Sequence, residues 1–420
     1  MEADATITTP EGVPTFWQDV APILDASCMG CHKTGGIAPM KFDTYDQVKN
    51  WGPAIAASTH ARTMPPWLVT ADGSCGEFAD SEWLTDQALE TLDTWVNSGM
   101  YEGEPAQRSQ PDQDVLDATH SLMTPMFLPE RQGGIFAQYD EYRCFRYPID
   151  GSENSQFLTG YEVLPGNEAI VHHVIGVIVN PERASRVDGL TNAEQMQALA
   201  DESPDREGWP CFVGAGQGVR EISEPIAWAP GQGVVNLPEG TGVRIRPGAE
   251  LILQVHYNLA NDADQGSTDQ TLVNMRLEQE VDIPLKPVYV DYLLANLREN
   301  ALPRGEADYE FKRDASFRNL GEQDPIQIWG ILPHMHERGQ RLNATLKRAD
   351  SDVEECAVQV NQWDFAWQRA YWYDTPILAN PTDRWEITCN YDTADATSAI
   401  LPGWGTRNEM CLTVLYVSEQ

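Results

Sequence analysis

The chain has 420 residues, more than one ordinary core accommodates, and the length alone implies two to four domains. Its composition is globular, 41% hydrophobic and 22% charged, and its 28 prolines and 32 glycines suit β-rich domains with many turns. With 64 acidic against 28 basic residues the net charge is −36, which argues against nucleic acid or anionic lipid as partners and reads instead as solubility in salty surroundings.

Residues 1–12 read as a flexible lead-in. Met1 is followed at once by polar residues, so no signal peptide is visible and the start reads as that of a mature chain. From Phe16 to about Met100 the pattern is helical. Phe16, Val20, Ile23 and Leu24 recur at helical spacing just before Cys28. A second helix is expected after Thr85, which can cap it. Ala88, Leu89, Leu92, Trp95 and Val96 form its apolar stripe, and Gly99 sits where a C-terminal cap belongs. The polar run from 101 to 115 reads as a linker.

Beyond residue 115 the patterns are those of strands. LILQVHYNL, GVIVN, VNMRLEQEV, PIQIWGIL, RLNATLKRA, RWEITCNY and CLTVLYV alternate or run apolar between turn residues. The longest apolar stretch, Ala169 to Val179, is interrupted by two histidines and falls short of the ~20 residues needed to span a bilayer. Short strands spread over so much chain predict two β-sandwiches or jelly rolls, with a boundary near the proline-flanked residues 282–287. The expected fold class is therefore multidomain: a small all-α domain followed by two all-β jelly-roll domains.

Cys28-Met29-Gly30-Cys31-His32 is a CxxCH motif. Two thiols add to the haem vinyl groups and the adjacent histidine is thereby placed under the iron, which predicts one covalent haem c. A chance CxxC or a disulfide is the alternative. Met64, in RTMPPW, is the expected second axial ligand, with Met40 and His60 as competitors; a thioether favours ferrous iron. Setting aside Cys28 and Cys31 leaves six of the eight cysteines, an even number that favours disulfides and an oxidising compartment, secreted or periplasmic.

Five of the eight histidines fall in three clusters in the β region: His172–His173, His256, and His334–His336. In an extended chain His334 and His336 share a face, so both imidazoles can reach one metal. His172 and His173 are adjacent and can do so only at a strand end or a bulge. Gln254 lies two residues before His256, on its face, and Met410 heads a further strand. Imidazole with thioether is a copper preference, because soft sulfur stabilises Cu(I). Core or surface histidines, with Met410 as simple packing, are the bland alternative.

Taken in order, VHHV (171–174), LQVHY (253–257), HMH (334–336) and NEMC (408–411) resemble the type II copper, ascorbate-dependent monooxygenases, the family of peptidylglycine α-hydroxylating monooxygenase and dopamine β-monooxygenase. The resemblance covers roughly residues 135–420. It implies a jelly-roll pair with one copper on each. The electron-storing copper would take His172, His173 and His256, and the oxygen-binding copper His334, His336 and Met410. Gln254 would contact substrate or water between them. The segment before looks like the cytochrome domain of bacterial relatives, where RxMPPW recurs. The implied domains are 13–105 (c-type cytochrome), 106–134 (linker), 135–285 (first jelly roll) and 286–420 (second). The resemblance also implies the disulfides Cys389–Cys411 and Cys144–Cys211. Cys75 and Cys356 either bridge the cytochrome domain to the second jelly roll or stay as buried thiols.

Two departures bear on the substrate. The peptide-hydroxylating enzyme has an arginine two residues before its HxH and a substrate-contacting tyrosine four residues after its copper methionine. Leu332 and Val414 stand in those places here, which points away from peptide-glycine and toward a more apolar pocket. The implied function is hydroxylation of a C–H bond of a small organic substrate with O2. Electrons would come from ascorbate or a redox protein, and the haem is a candidate relay. The alternatives are a non-catalytic haem and copper electron carrier and a haem-dependent sensor. No nucleic acid partner and no membrane span are expected.

Overall fold

The structure, a computed structural model, describes residues 10–34, 38–79, 81–108, 115–132, 139–149, 154–211, 214–230, 232–259, 262–294, 299–403 and 408–420. Most of the expected lead-in, parts of the expected linker, 109–114 and 133–134, and the expected start of the first jelly roll, 135–138, lie outside the described residues. The chain divides into a smaller unit, Met1–Trp67 with Asp80–Asp114, and a larger one, Leu68–Ala79 with Val115–Gln420.

The smaller unit is helical. A wide helical turn, Phe16–Val20, runs directly into α1 (Ala21–Ser27); α2 (Tyr45–His60) and α3 (Asp86–Ser98) come after it. The apolar residues spaced along the first segment are buried as a stripe: Phe16, Val20 and Leu24 are fully enclosed, packed with Leu92 and Trp95 of α3. Thr85 caps α3 by accepting from the Ala88 N–H, and Gly99 ends it in the left-handed region at φ 112°, a conformation that costs other residues a Cβ clash. A capping box of Thr44 and Gln47 starts α2.

The larger unit is almost entirely strand. Its strands are β1 (His120–Met123), β2 (Asp140–Pro148), β3 (Gln156–Leu164), β4 (Val171–Val179), β5 (Trp209–Pro210) and β6 (Glu221–Trp228). Next come β7 (Val235–Asn236), β8 (Thr241–Ile245), β9 (Glu250–Asn258), β10 (Leu272–Glu278), β11 (Ile283–Asp291) and β12 (Tyr309–Ser316). The last are β13 (Ile326–His334), β14 (Gly339–Lys347), β15 (Glu354–Val360), β16 (Tyr371–Ala379), β17 (Arg384–Tyr391) and β18 (Leu412–Glu419).

They form two β-sandwiches, each with its own core. In the first, the sheet β5-β2-β9-β4-β6 faces β1-β10-β3-β8. Val174 and Ile178 of β4, Leu253 and Val255 of β9, Leu158 and Tyr161 of β3 and Val273 and Met275 of β10 fill the space between. In the second, β12-β17-β14-β15 faces β11-β18-β13-β16, and the buried Trp385 of β17 donates to Thr413 Oγ1 of β18 at 3.1 Å. The stretch around residues 282–287, expected as a boundary, is the start of β11. It pairs in parallel with β8 of the first sandwich and antiparallel with β18 of the second, so one sheet runs through both.

Residues 68–79, expected inside the helical domain, belong instead to the second sandwich. The Thr70 N–H donates to the Gln359 carbonyl, the Ala79 N–H to that of Trp372, and Val69 and Phe78 bridge Val360 and Tyr373. β15 and β16 are the open edges of their sheets. The strap satisfies edge groups that would otherwise invite pairing with another chain, and this outweighs continuity with the helices on either side. Cys75, on the strap, is disulfide-bonded to Cys356 of β15. Cys144–Cys211 and Cys389–Cys411 pair as the resemblance implied. Among the described residues no helix is long and apolar enough to cross a membrane.

Candidate metal centres

His172 and His173 open β4, and the pairing of β4 with β9 shifts register between Val171 and His173, which lets adjacent side chains turn toward one place. His173 is paired with His256 on β9. The three imidazoles converge through Nδ1: His173 Nδ1 lies 3.3 Å from that of His172 and 3.2 Å from that of His256. One ligand atom from each ring lies within 4.8 Å of the others, as a single metal requires. The far nitrogen of His256, Nε2, is 3.0 Å from Asp140 Oδ1, and its face is stacked by Tyr142 at 4.0 Å between centroids.

The second group is built at the end of β13. The His336 Nδ1–H donates to the Asn408 carbonyl at 3.0 Å, and His334 Nδ1 is held by Gln368 Oε1. The Gln368 amide is itself oriented by donating to the Phe365 carbonyl at 2.8 Å. Because a carbonyl only accepts, both rings carry the proton on Nδ1 and the lone pair on Nε2. Leu412 pairs with His334 in the β13–β18 register, and continuing it by two residues sets Met410 beside His336. Glu409, fully buried, fastens the turn to this strand. Its Oε2 accepts from the His336 N–H at 3.0 Å and its Oε1 from the Arg338 N–H at 2.8 Å. Tyr391 Oη donates to the Met410 carbonyl at 2.8 Å, and Cys389–Cys411 ties β17 to the start of β18.

Burial favours the neutral form of His172, His173, His256 and His334. It lowers the pKa of His172, holds His173 and His256 well below the ordinary value with neighbouring imidazoles adding to the effect, and pushes His334 down to about 3. His334 is among the groups acting on His173, and Asp364 acts on His172. The two groups therefore lie within electrostatic reach of one another. Neutral imidazoles with directed lone pairs beside a buried thioether suit copper in both oxidation states.

Gln254, expected near substrate, spends its amide Nε2 on the carbonyls of Cys211 and Gly214, both at 2.7 Å. Only its Oε1 is left to offer a substrate or a water. Around Met410 the chain gathers Leu294, Leu332, Leu412 and Val414. Asp140, Tyr142, Gln368, Asn408 and Glu409 were not singled out in the sequence. Asp140 and Tyr142 precede Cys144 at alternating positions on β2 and Glu409 precedes Met410, signals that can be read once the ligands are known; Gln368 has none.

In the smaller unit, His32 is buried, its ring stacked on Phe42 at 4.3 Å, and its Nδ1–H donates to the Met40 carbonyl at 2.9 Å. That leaves the lone pair on Nε2, the arrangement an axial histidine needs. The three disulfides use the six cysteines other than Cys28 and Cys31. Cys28 is pushed up to about 12 by burial. His60 is on an exposed helix face, paired with Asp93 at 3.0 Å. Met64 is half-buried, its N–H donating to the Ser58 carbonyl.

Residues 298–419 match the family described as copper type II ascorbate-dependent monooxygenase, C-terminal domain. A putative DBH-like monooxygenase protein 2 of Homo sapiens is 30% identical over 95 residues, 23% of this chain and 19% of that protein. Tyramine beta-hydroxylase of Caenorhabditis briggsae is 22% identical over 66% of this chain and 45% of its own length. Dopamine beta-hydroxylase of Rattus norvegicus is 23% identical over 60% and 39%. The chain thus spans less than half the length of each of these relatives. Among solved structures, the N-terminal CBM22-1-CBM22-2 tandem domain of Paenibacillus barcinonensis Xyn10C aligns at 10% identity over 64% of this chain and 79% of that one. Its TM-score of 0.18 carries no weight for the fold. The His334–His336 turn and Met410 both lie inside the matched segment, so this part of the chain is similar to the C-terminal domain of the copper type II ascorbate-dependent monooxygenases.

Proposed function

We propose that this protein hydroxylates a C–H bond of a small, largely apolar organic substrate with O2, and that its helical unit is a c-type cytochrome domain supplying electrons. The cytochrome would occupy 13–105 apart from the strap at 68–79, and the jelly rolls 135–285, joined by β1, and 286–420. The observation that carries the reading is the geometry of two histidine groups: His172, His173 and His256 converge through Nδ1, and His334 and His336 sit at the end of β13, where the segment carrying Met410 is fastened to His336. Hydroxylation consumes one O2, two electrons and two protons beyond the substrate and yields an alcohol and water. Copper, when bound, supplies one-electron redox chemistry and the activation of O2. The chain's part is to hold the two donor sets apart in character. His172, His173 and His256 would make the electron-storing site, and His334, His336 and Met410 the oxygen site.

The wall of Leu294, Leu332, Leu412 and Val414 around Met410 favours a substrate whose reacting end is apolar and uncharged. In the helical unit Cys28 and Cys31 would carry the haem, His32 would present Nε2, and Met64 would be the second ligand. Ascorbate or a redox protein would be the outside donor. Three disulfides suit a secreted or periplasmic setting. Product mass spectrometry after incubation with labelled O2, copper and a panel of apolar organic compounds tests the activity. Incorporation of one labelled oxygen is expected; electron exchange without oxygenation would make the protein a carrier. In rapid mixing, reduced haem should be reoxidised by the Cu(II) protein; haem that stays reduced while copper turns over with ascorbate refutes the relay.

A further inference from the structure

We infer that Asp140 is a positioning residue of the three-histidine centre: acting through the His256 ring, its carboxylate sets the orientation and donor strength of that ligand and biases the centre toward the oxidised metal. The inference rests on reading His172, His173 and His256 as a copper site.

The β2–β9 register sets Asp140 opposite Asn258 and Tyr142 opposite His256. Strand alternation places Asp140 and Tyr142 on one face, so the two side chains meet the same imidazole from different directions. Tyr142 lies flat against the ring, 4.0 Å away and inclined by 6°, and resists tilting. Asp140 Oδ1 sits 3.0 Å from Nε2 and resists rotation about the bond to the ring. A carboxylate accepts and does not donate, so Nε2 must carry the hydrogen and Nδ1 the lone pair. Nδ1 is the atom that faces His173 at 3.2 Å. The tautomer that serves the metal is thus fixed from the side away from it.

The second consequence is electronic. A carboxylate drawing on an imidazole N–H gives the ring partial imidazolate character and raises its basicity toward the metal. A more basic nitrogen stabilises Cu(II) more than Cu(I), which makes the centre a better electron donor. Asn258 Nδ2 donates to the same Asp140 oxygen at 2.8 Å. That donor withdraws part of the negative charge, so Asp140 and Asn258 act on His256 with opposite signs.

The test uses the full chain carrying His334→Ala and His336→Ala, so that only the three-histidine centre is loaded. Cu(II) and Cu(I) affinities are measured by chelator competition, with paramagnetic resonance of the Cu(II) form. Asp140→Asn keeps the size and an acceptor oxygen but drops the charge. It should shift the Cu(II):Cu(I) preference about 10-fold toward Cu(I), a rise of about 59 mV for one electron. Asn258→Ala should move the preference the other way. A purely structural role would alter copper occupancy in both variants and leave the preference unchanged. No shift in Asp140→Asn, or shifts of the same sign in the two variants, overturns the inference. If the parent binds no copper through imidazole nitrogen, the reading of the site falls and the inference with it, an outcome distinct from normal binding that Asp140→Asn leaves untouched.

Discussion

Removing the Cys75–Cys356 bridge should cost more stability than removing either of the others. The three bridges close segments of 281, 67 and 22 residues, for Cys75–Cys356, Cys144–Cys211 and Cys389–Cys411. On the chain-entropy relation these contribute about 5.6, 4.4 and 3.4 kcal/mol at 25 °C. The Cys144–Cys211 bridge lies inside the longest loop and shortens it, which trims the first figure by only about 0.2 kcal/mol, because the dependence on length is logarithmic. The entropic figure is a ceiling, so the double variant Cys75→Ala/Cys356→Ala should lose roughly 2–5 kcal/mol. Unfolding in guanidinium, followed by tryptophan fluorescence, gives the loss. Limited proteolysis should cut within residues 70–77 in the variant before it cuts the sandwiches, since the middle of the strap would lose its covalent tie while its two ends stay held by edge hydrogen bonds and the packing of Val69 and Phe78. A loss below about 1 kcal/mol, or a free thiol at either position in the native protein, refutes the reasoning.

Met410→His should still bind copper at the His334/His336 site but lose the Cu–S contact in Cu(I) X-ray absorption, with hydroxylation down by orders of magnitude; His256→Ala should keep that contact and weaken the other site. A Cu–S signal that survives Met410→His reverses the assignment. Denaturation and acid–acetone extraction should leave one haem on the chain, and Met64→Ala should lower its potential; an unchanged spectrum moves the axial role to Met40 or His60. The metal-free protein should lose stability as pH falls. Burial holds His173, His256 and His334 below their unfolded value near 6.5, the last at about 3, so their unfolded forms bind more protons. The stability is fully present above about pH 6.5 and drains away from there toward pH 3; a flat pH profile over that range contradicts the buried neutral rings.

Much of the site was legible because its ligands are rare residue types at short spacing. CxxCH, HxH and the adjacent histidine pair are local patterns, and the helix stripe, Thr85 and Gly99 obey rules that act within a turn or two. The sequence alone therefore determined that helices run just before Cys28 and after Thr85, that the chain beyond the linker is strand, and which imidazoles are candidate ligands. Tertiary structure decided the features that depend on contacts between distant positions. Which nitrogen each histidine presents is set by Asp140, Gln368 and Asn408, which lie 116, 34 and 72 residues from the rings they hold. The route of residues 68–79 is set by two open sheet edges that exist only once β15 and β16 have formed. A periodicity reports which face of an element is buried; it carries no record of the partner that covers it, and both the tautomers and the strap are properties of partners.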